Sequence, residues 1–156
     1  GENEGPYNQR VVEMNPSTEL LLDKKTVYYG GRGSQVELCD ILCKDGTFIH
    51  VKHYQGSSTL SHFFNQGLVS ARLVKADPSF RKCAQVVLDK IEPNCFKLER
   101  DSVKQVVFAI ISKFDAARPE IPFFSKVALD AVCSQLAAMD IDVALARIKE
   151  VRADCG

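Results

Sequence analysis

Between Val36 and His53 two strand-like runs are separated by only Lys44, Asp45 and Gly46, and this closeness constrains the fold more than any other feature of the chain. Val36–Cys43 and Thr47–His53 read as the two arms of a hairpin. Side chains alternate across a strand, so residues 37, 39, 41 and 43 share one side of the first arm and residues 38, 40 and 42 the other. In the second arm His50 and Lys52 share a side with Phe48. The register depends on the turn. With Gly46 in the left-handed position of a three-residue loop, Cys43 pairs with Thr47 and Asp40 lies opposite His50 at roughly 5 Å, with Lys52 on the diagonal at about 7 Å. With Asp45-Gly46 as a two-residue loop, Asp40 falls opposite Val51 and the group is dispersed. The three-residue loop is preferred. It sets Leu42 beside Phe48 and leaves Cys39, Ile41, Ile49 and Val51 together on the other face.

A chain of 156 residues is long enough for one domain with a real core. Residues 7–150 are expected to form it, with residues 1–6 and 151–156 as tails. No apolar run approaches the roughly 20 residues that span a bilayer, and no signal peptide opens the chain. A cytoplasmic protein with no membrane partner is therefore expected. Lys and Arg number 20 and so do Asp and Glu, which removes the global positive field that strengthens non-specific nucleic-acid binding. A local basic patch remains open to the first half, where Lys24, Lys25 and Arg32 are candidates for phosphate or nucleic-acid contacts. Six cysteines without secretory features read as free thiols rather than a disulfide framework. Cys39 and Cys43, followed by His50 and His53, suggest zinc. Both thiols sit among aliphatic residues, however, and buried small hydrophobes are the preferred reading.

The pattern predicts a short helix over Tyr7–Met14, a strand near Thr26–Tyr29, and then the hairpin. Tyr54–Ser58 offers a serine cap to a helix with an apolar stripe of Leu60, Phe63, Phe64, Leu68 and Ala71. Gly67 lies in that stripe, and since a mid-helix glycine costs about 1 kcal/mol against alanine, it implies close approach of helix to sheet. Asp77-Pro78 reads as an N-cap with proline at the first position of a second helix ending near Ile91. Val103–Ser112 is a strongly apolar central strand, Ser125–Met139 an amphipathic helix, and Ile141–Ile148 a last strand. Helices alternating with apolar strands argue for an α/β fold with a mixed central sheet flanked by helices.

The strings S34-Q-V-E-L-C-D40, I49-H-V-K52, G56-S-S-T-L-S-H-F-F-N-Q-G67 and P122-F-F-S-K126 resemble a poorly characterised, mostly bacterial family named for its sporadic distribution. The resemblance covers about Tyr7 to Ile148 and is to the C-terminal part of longer proteins, which implies an N-terminal region beyond this chain. A second resemblance is to PD-(D/E)xK nucleases and their restriction-endonuclease-like αβββαβ core. Carried over residue by residue, it makes Asp40 the metal-binding aspartate, Lys52 the catalytic lysine and Gln66 the helical glutamine of some members. Two positions depart: His50 stands where Glu or Gln is expected, and Gln9 where the sporadic family has glutamate. Either this copy is weakened, or Gln9 is a change that traps an inactive state.

The resemblance implies a magnesium- or manganese-dependent nuclease, acting on DNA in preference to RNA, in a role such as defence against foreign nucleic acid. Asp40 and the backbone carbonyl near Val51 would hold the cation, and Lys52 would position a water or offset charge on phosphorus. His50 could ligate a softer metal or carry a proton. Ser57 and Ser58 would cap a helix and could turn its amides toward a phosphate. Each residue also has a plainer reading. Asp40 and Lys52 could be a solvated cross-strand ion pair, His50 a structural histidine, and Gln66 a solvated helix residue. Glu37 points to the opposite face from Asp40 and is not assigned to the site. The competing functional class is a degenerate nuclease-like domain that binds nucleic acid or a partner protein; a thiol or zinc module is a third.

Overall fold

The structure is a computed structural model that describes residues 4–31, 33–113 and 120–150. Eleven elements follow in order: α1 (Glu4–Met14), β1 (Glu19–Leu21), β2 (Thr26–Tyr28), β3 (Gln35–Glu37), β4 (Ile41–Cys43), β5 (Thr47–His53), α2 (Ser57–Ala76), α3 (Pro78–Ile91), β6 (Gln105–Ser112), α4 (Phe123–Ala137) and β7 (Asp142–Lys149). Five strands make a mixed sheet in the order β1-β4-β5-β6-β7, and β2 pairs with β3 in a separate two-stranded sheet. β1, β4 and β5 are antiparallel, whereas β5, β6 and β7 run parallel, with α2 and α3 and then α4 as the crossovers.

The hairpin has the three-residue register. Ile41 pairs with Ile49 and Leu42 with Phe48. Gly46 takes φ +95°, and its N–H donates to the Cys43 carbonyl at 3.0 Å. A Cβ at Gly46 would sit 2.3 Å from the Ser102 carbonyl oxygen, so both dihedral and space demand glycine. The single strand expected over Val36–Cys43 is divided, however. Val36 belongs to β3 and the small sheet, Leu38–Asp40 turn the chain, and only Ile41–Cys43 join the main sheet. The buried Ser70 hydroxyl on α2 donates to the Leu38 carbonyl in that turn.

β6 lies between β5 and β7 and is apolar on both faces, as a central parallel strand must be. Its Val106, Phe108 and Ile110 join Phe48, Leu60, Phe64, Val132 and Leu136 in the main core beneath α2 and α4. Ala109 and Ile111 face the other way and pack with Val51 and Tyr7 of α1. Gly67 provides the close approach its position implied. A Cβ there would stand 2.5 Å from Phe108 Cε1 and 3.4 Å from His50 Cδ2. Asp77 caps α3 by accepting from the Ser79 and Phe80 amides at 2.8 and 3.1 Å, with Pro78 following.

Besides the divided strand, four further points differ from the sequence expectation. α1 begins at Glu4, so Glu4, Gly5 and Pro6 belong to a helix rather than a tail. The serine cap of α2 is absent: Gly56 is the N-cap, and the Ser57 hydroxyl is hydrogen-bonded to Ser125 of α4 at 2.8 Å. β1 was not expected, because three residues carry no period and only pairing with β4 makes them a strand. α4 starts at Phe123, two residues early. Among the described residues no helix is long and apolar enough to cross a membrane.

Candidate functional site

Among the described residues β4 pairs with β5 only through Ile41 and Leu42, so beyond Ile49 the β5 edge meets no described strand on that side. Unpaired amide donors along such an edge need acceptors. Two carboxylates supply them. Asp40 Oδ2 accepts from the Val51 N–H at 2.6 Å, and Glu4 Oε1 accepts from the His53 N–H at 2.7 Å. Residues two apart on a strand put their N–H groups on the same edge roughly 7 Å apart, so the carboxylates stand in a row, and Lys52 lies in sequence between the two residues, Val51 and His53, whose amides they accept from. Lys52 Nζ lies 3.4 Å from Glu4 Oε1.

Asp40 is fixed by backbone as well as side chain. Its N–H donates to the Ile49 carbonyl at 3.0 Å, and its carbonyl accepts from the Leu22 N–H at 2.8 Å. Burial pushes its carboxyl up to about 7; the Val51 amide opposes this, and the negative neighbours Asp23, Glu37 and Glu4 add to it. His50, which lines the same cleft, is 5 % exposed, and its ring lies 5.9 Å from that of Phe108. Burial lowers its pKa to about 4, so it is neutral at pH 7, with Nε2 shut from solvent and without a partner among the described residues.

Asp40, His50, Val51, Lys52, Gln66 and Lys24 all line one cleft of about 570 Å³. The same cleft takes in Glu4, Asp23, Gln35, Glu37, His62 and Asn65. It thus gathers four carboxyl groups against two ammonium groups. Gln9 is not among its residues; its amide donates to Glu13 at 2.8 Å on the exposed side of α1. The carboxylate that α1 brings to the cleft is Glu4, one and a half turns earlier. Ser57, Ser58 and Lys25 also lie outside the cleft, and Arg32 lies outside the described residues. Glu37 does reach the cleft. Alternation carried through from Glu37 to Asp40 placed it on the wrong side because the chain turns between the two sheets at Leu38–Asp40.

No signal in the sequence alone marks Glu4 as a site residue, since it precedes the apolar periodicity of α1. Asp23 could have been suspected from its place in Asp23-Lys24-Lys25, between two short strands. Among the described residues no three His, Cys, Asp or Glu side chains are grouped to hold a metal ion. Cys39 is buried in the core, where desolvation raises its thiol pKa well above the ordinary value, and burial pushes Cys43 up to about 11. Neither is poised to be a thiolate.

A family model described as a family of unknown function, DUF6119, matches residues 1–149, and the chain belongs to that family. No curated protein and no solved structure matches it.

Proposed function

We propose that this member of the DUF6119 family is a divalent-cation-dependent nuclease of the PD-(D/E)xK type, built on a restriction-endonuclease-like core. The observation that carries this reading is the row of Asp40 and Glu4 along the β5 edge, with Lys52 against Glu4. The order helix, antiparallel strands, helix and parallel strand supports it as well.

The donor set fits magnesium better than zinc. Magnesium keeps several waters and takes one or two carboxylates together with phosphate oxygens, and Asp40 and Glu4 are two such carboxylates in one cleft. A carboxyl pushed up to about 7 by burial and by like charges is a group that a cation would return to its ionised form. Bound there, the cation would polarise a phosphodiester and acidify a water. The Val51 amide orients Asp40 through one oxygen and leaves the other for a ligand. Lys52 would offset the charge that builds on phosphorus, and Glu4 holds its ammonium near that place. His50 stays neutral on the cleft floor. Gln66 lines the α2 wall, where it can contact substrate.

The test is cleavage of single- and double-stranded DNA and RNA with magnesium or manganese. Cutting by the unmodified chain should fall on the order of 10²–10³-fold in Asp40→Ala and Lys52→Ala. Gln9→Glu should change nothing, because Gln9 lies outside the cleft. The second reading, a degenerate domain that binds without cutting, is favoured by the lack of three grouped metal ligands among the described residues. Metal-independent binding with no cutting by any version would select it.

A further inference from the structure

We infer that Asn65 on α2 and Gln35 on β3 form a base-reading wall, so that the site takes a single-stranded nucleic acid. This rests on the nuclease reading above. The period of α2 separates two sets of residues: Phe63, Phe64, Gly67 and Leu68 are buried, while His62, Asn65, Gln66 and Val69 are exposed and line the cleft. β3 packs against α2, and Gln35 and Glu37 line the cleft from that side.

The chemistry of this wall differs from that of the β5 edge. The lysines that line the cleft are Lys24 and Lys52; Asn65 and Gln35 are uncharged amides, each with both donors and acceptors. Neither has a side-chain hydrogen-bond partner among the described residues, and both are exposed. Asn and Gln can also contact phosphates, but no Arg or Lys accompanies them among the α2 and β3 residues that line the cleft, so the wall has no cation to hold a phosphate. Amides with free donors and acceptors instead match the edges of nucleobases, as Asn and Gln do with adenine.

Size selects the strand state. A cleft of about 570 Å³ is of small-ligand dimensions. It can admit a nucleotide whose base is unstacked, whereas the Watson–Crick edges of a duplex are occupied by pairing. The wall is also rigid. Gly67 lets α2 lie directly over Phe108 and His50, and the Ser70 hydroxyl ties the helix to the turn that leads into Asp40. Asn65 is therefore held relative to Asp40 by packed structure rather than by a loop, which is what discrimination between bases requires.

The experiment is cut-site mapping on end-labelled DNA and RNA of mixed sequence, single-stranded and annealed, with magnesium or manganese. The unmodified chain, Asn65→Ala and Gln35→Ala are compared, each with its thermal unfolding midpoint as a folding control. Single strands should be cut in preference to duplexes, with about a tenfold preference for one base beside the cut. That preference should shrink toward parity in variants that unfold at the same temperature as the parent. Equal cutting of duplexes, or a base preference that survives both substitutions, would overturn the inference and leave the nuclease reading standing. No cutting by the unmodified chain on any substrate would overturn both.

Discussion

Replacing Asp40 with Asn should stabilise the protein at neutral and alkaline pH, and the size of the effect follows from the site. Asp40 ionises near 7 in the folded chain against an ordinary value of 3.8. Each unit between those values costs the folded state about 1.4 kcal/mol, so the penalty is near zero at pH 4 and approaches about 4 kcal/mol above pH 7. The sign follows from proton binding. The folded state holds this proton more tightly than the unfolded one, so stability is lost as the pH rises through 7. Asn keeps an oxygen for the Val51 N–H and carries no charge, so the hydrogen bond survives while the penalty goes.

His50 works in the opposite direction over part of the same range. It charges near 4 in the folded chain and near 6.5 when free of burial, so its contribution is complete above 6.5 and is lost as the pH falls toward 4. In the unmodified protein the two slopes oppose each other between pH 4 and 6.5. Asp40→Asn should unmask the histidine slope, with stability rising by about 3 kcal/mol from pH 4 to 6.5. Urea denaturation at half-unit pH intervals measures this. A stability difference between the two proteins that stays flat from pH 4 to 8, or an Asn variant less stable than the parent at pH 8, would refute the account of Asp40 as a desolvated, repelled carboxyl.

Magnesium at a hundredfold excess over its Kd should stabilise the unmodified protein by about 2.7 kcal/mol at pH 8 and leave Asp40→Asn nearly unaffected, as read by a shift in the urea midpoint. Glu4→Gln keeps an acceptor for the His53 N–H and removes only a partly exposed ion pair with Lys52, so its unfolding midpoint should move little. Its metal-dependent cutting should nevertheless drop by tenfold or more, and unchanged cutting would remove Glu4 from the site. Gly67→Ala should destabilise the fold by about 1–2 kcal/mol despite the better helix propensity of Ala, because the new Cβ meets Phe108 at 2.5 Å. A stabilised variant in thermal unfolding would show that α2 can lift off the sheet without cost.

Local rules were enough for the elements whose causes are local. The Asp77-Pro78 start of α3, the Gly46 turn and the apolar run of β6 each carry their reason within a few residues, and each appears where the sequence placed it. The turn also settled the register of the hairpin, since Ile41 and Ile49 pair as a three-residue loop requires, while Asp40 lies just before β4 and bonds through its N–H to the Ile49 carbonyl. Tertiary structure decided the rest. Whether Val36 and Ile41 continue one strand depends on which partners they find, β2 for the first and β1 with β5 for the second. That division brought Glu37 into the cleft and, among the described residues, left the β5 edge without a strand beyond Ile49. The open edge in turn recruited Glu4, a residue 49 positions from the amide it caps. No periodicity or motif encodes such a contact: it exists because two N–H groups on a partly buried sheet edge need acceptors, and only the assembled sheet determines which carboxylates are near enough to provide them.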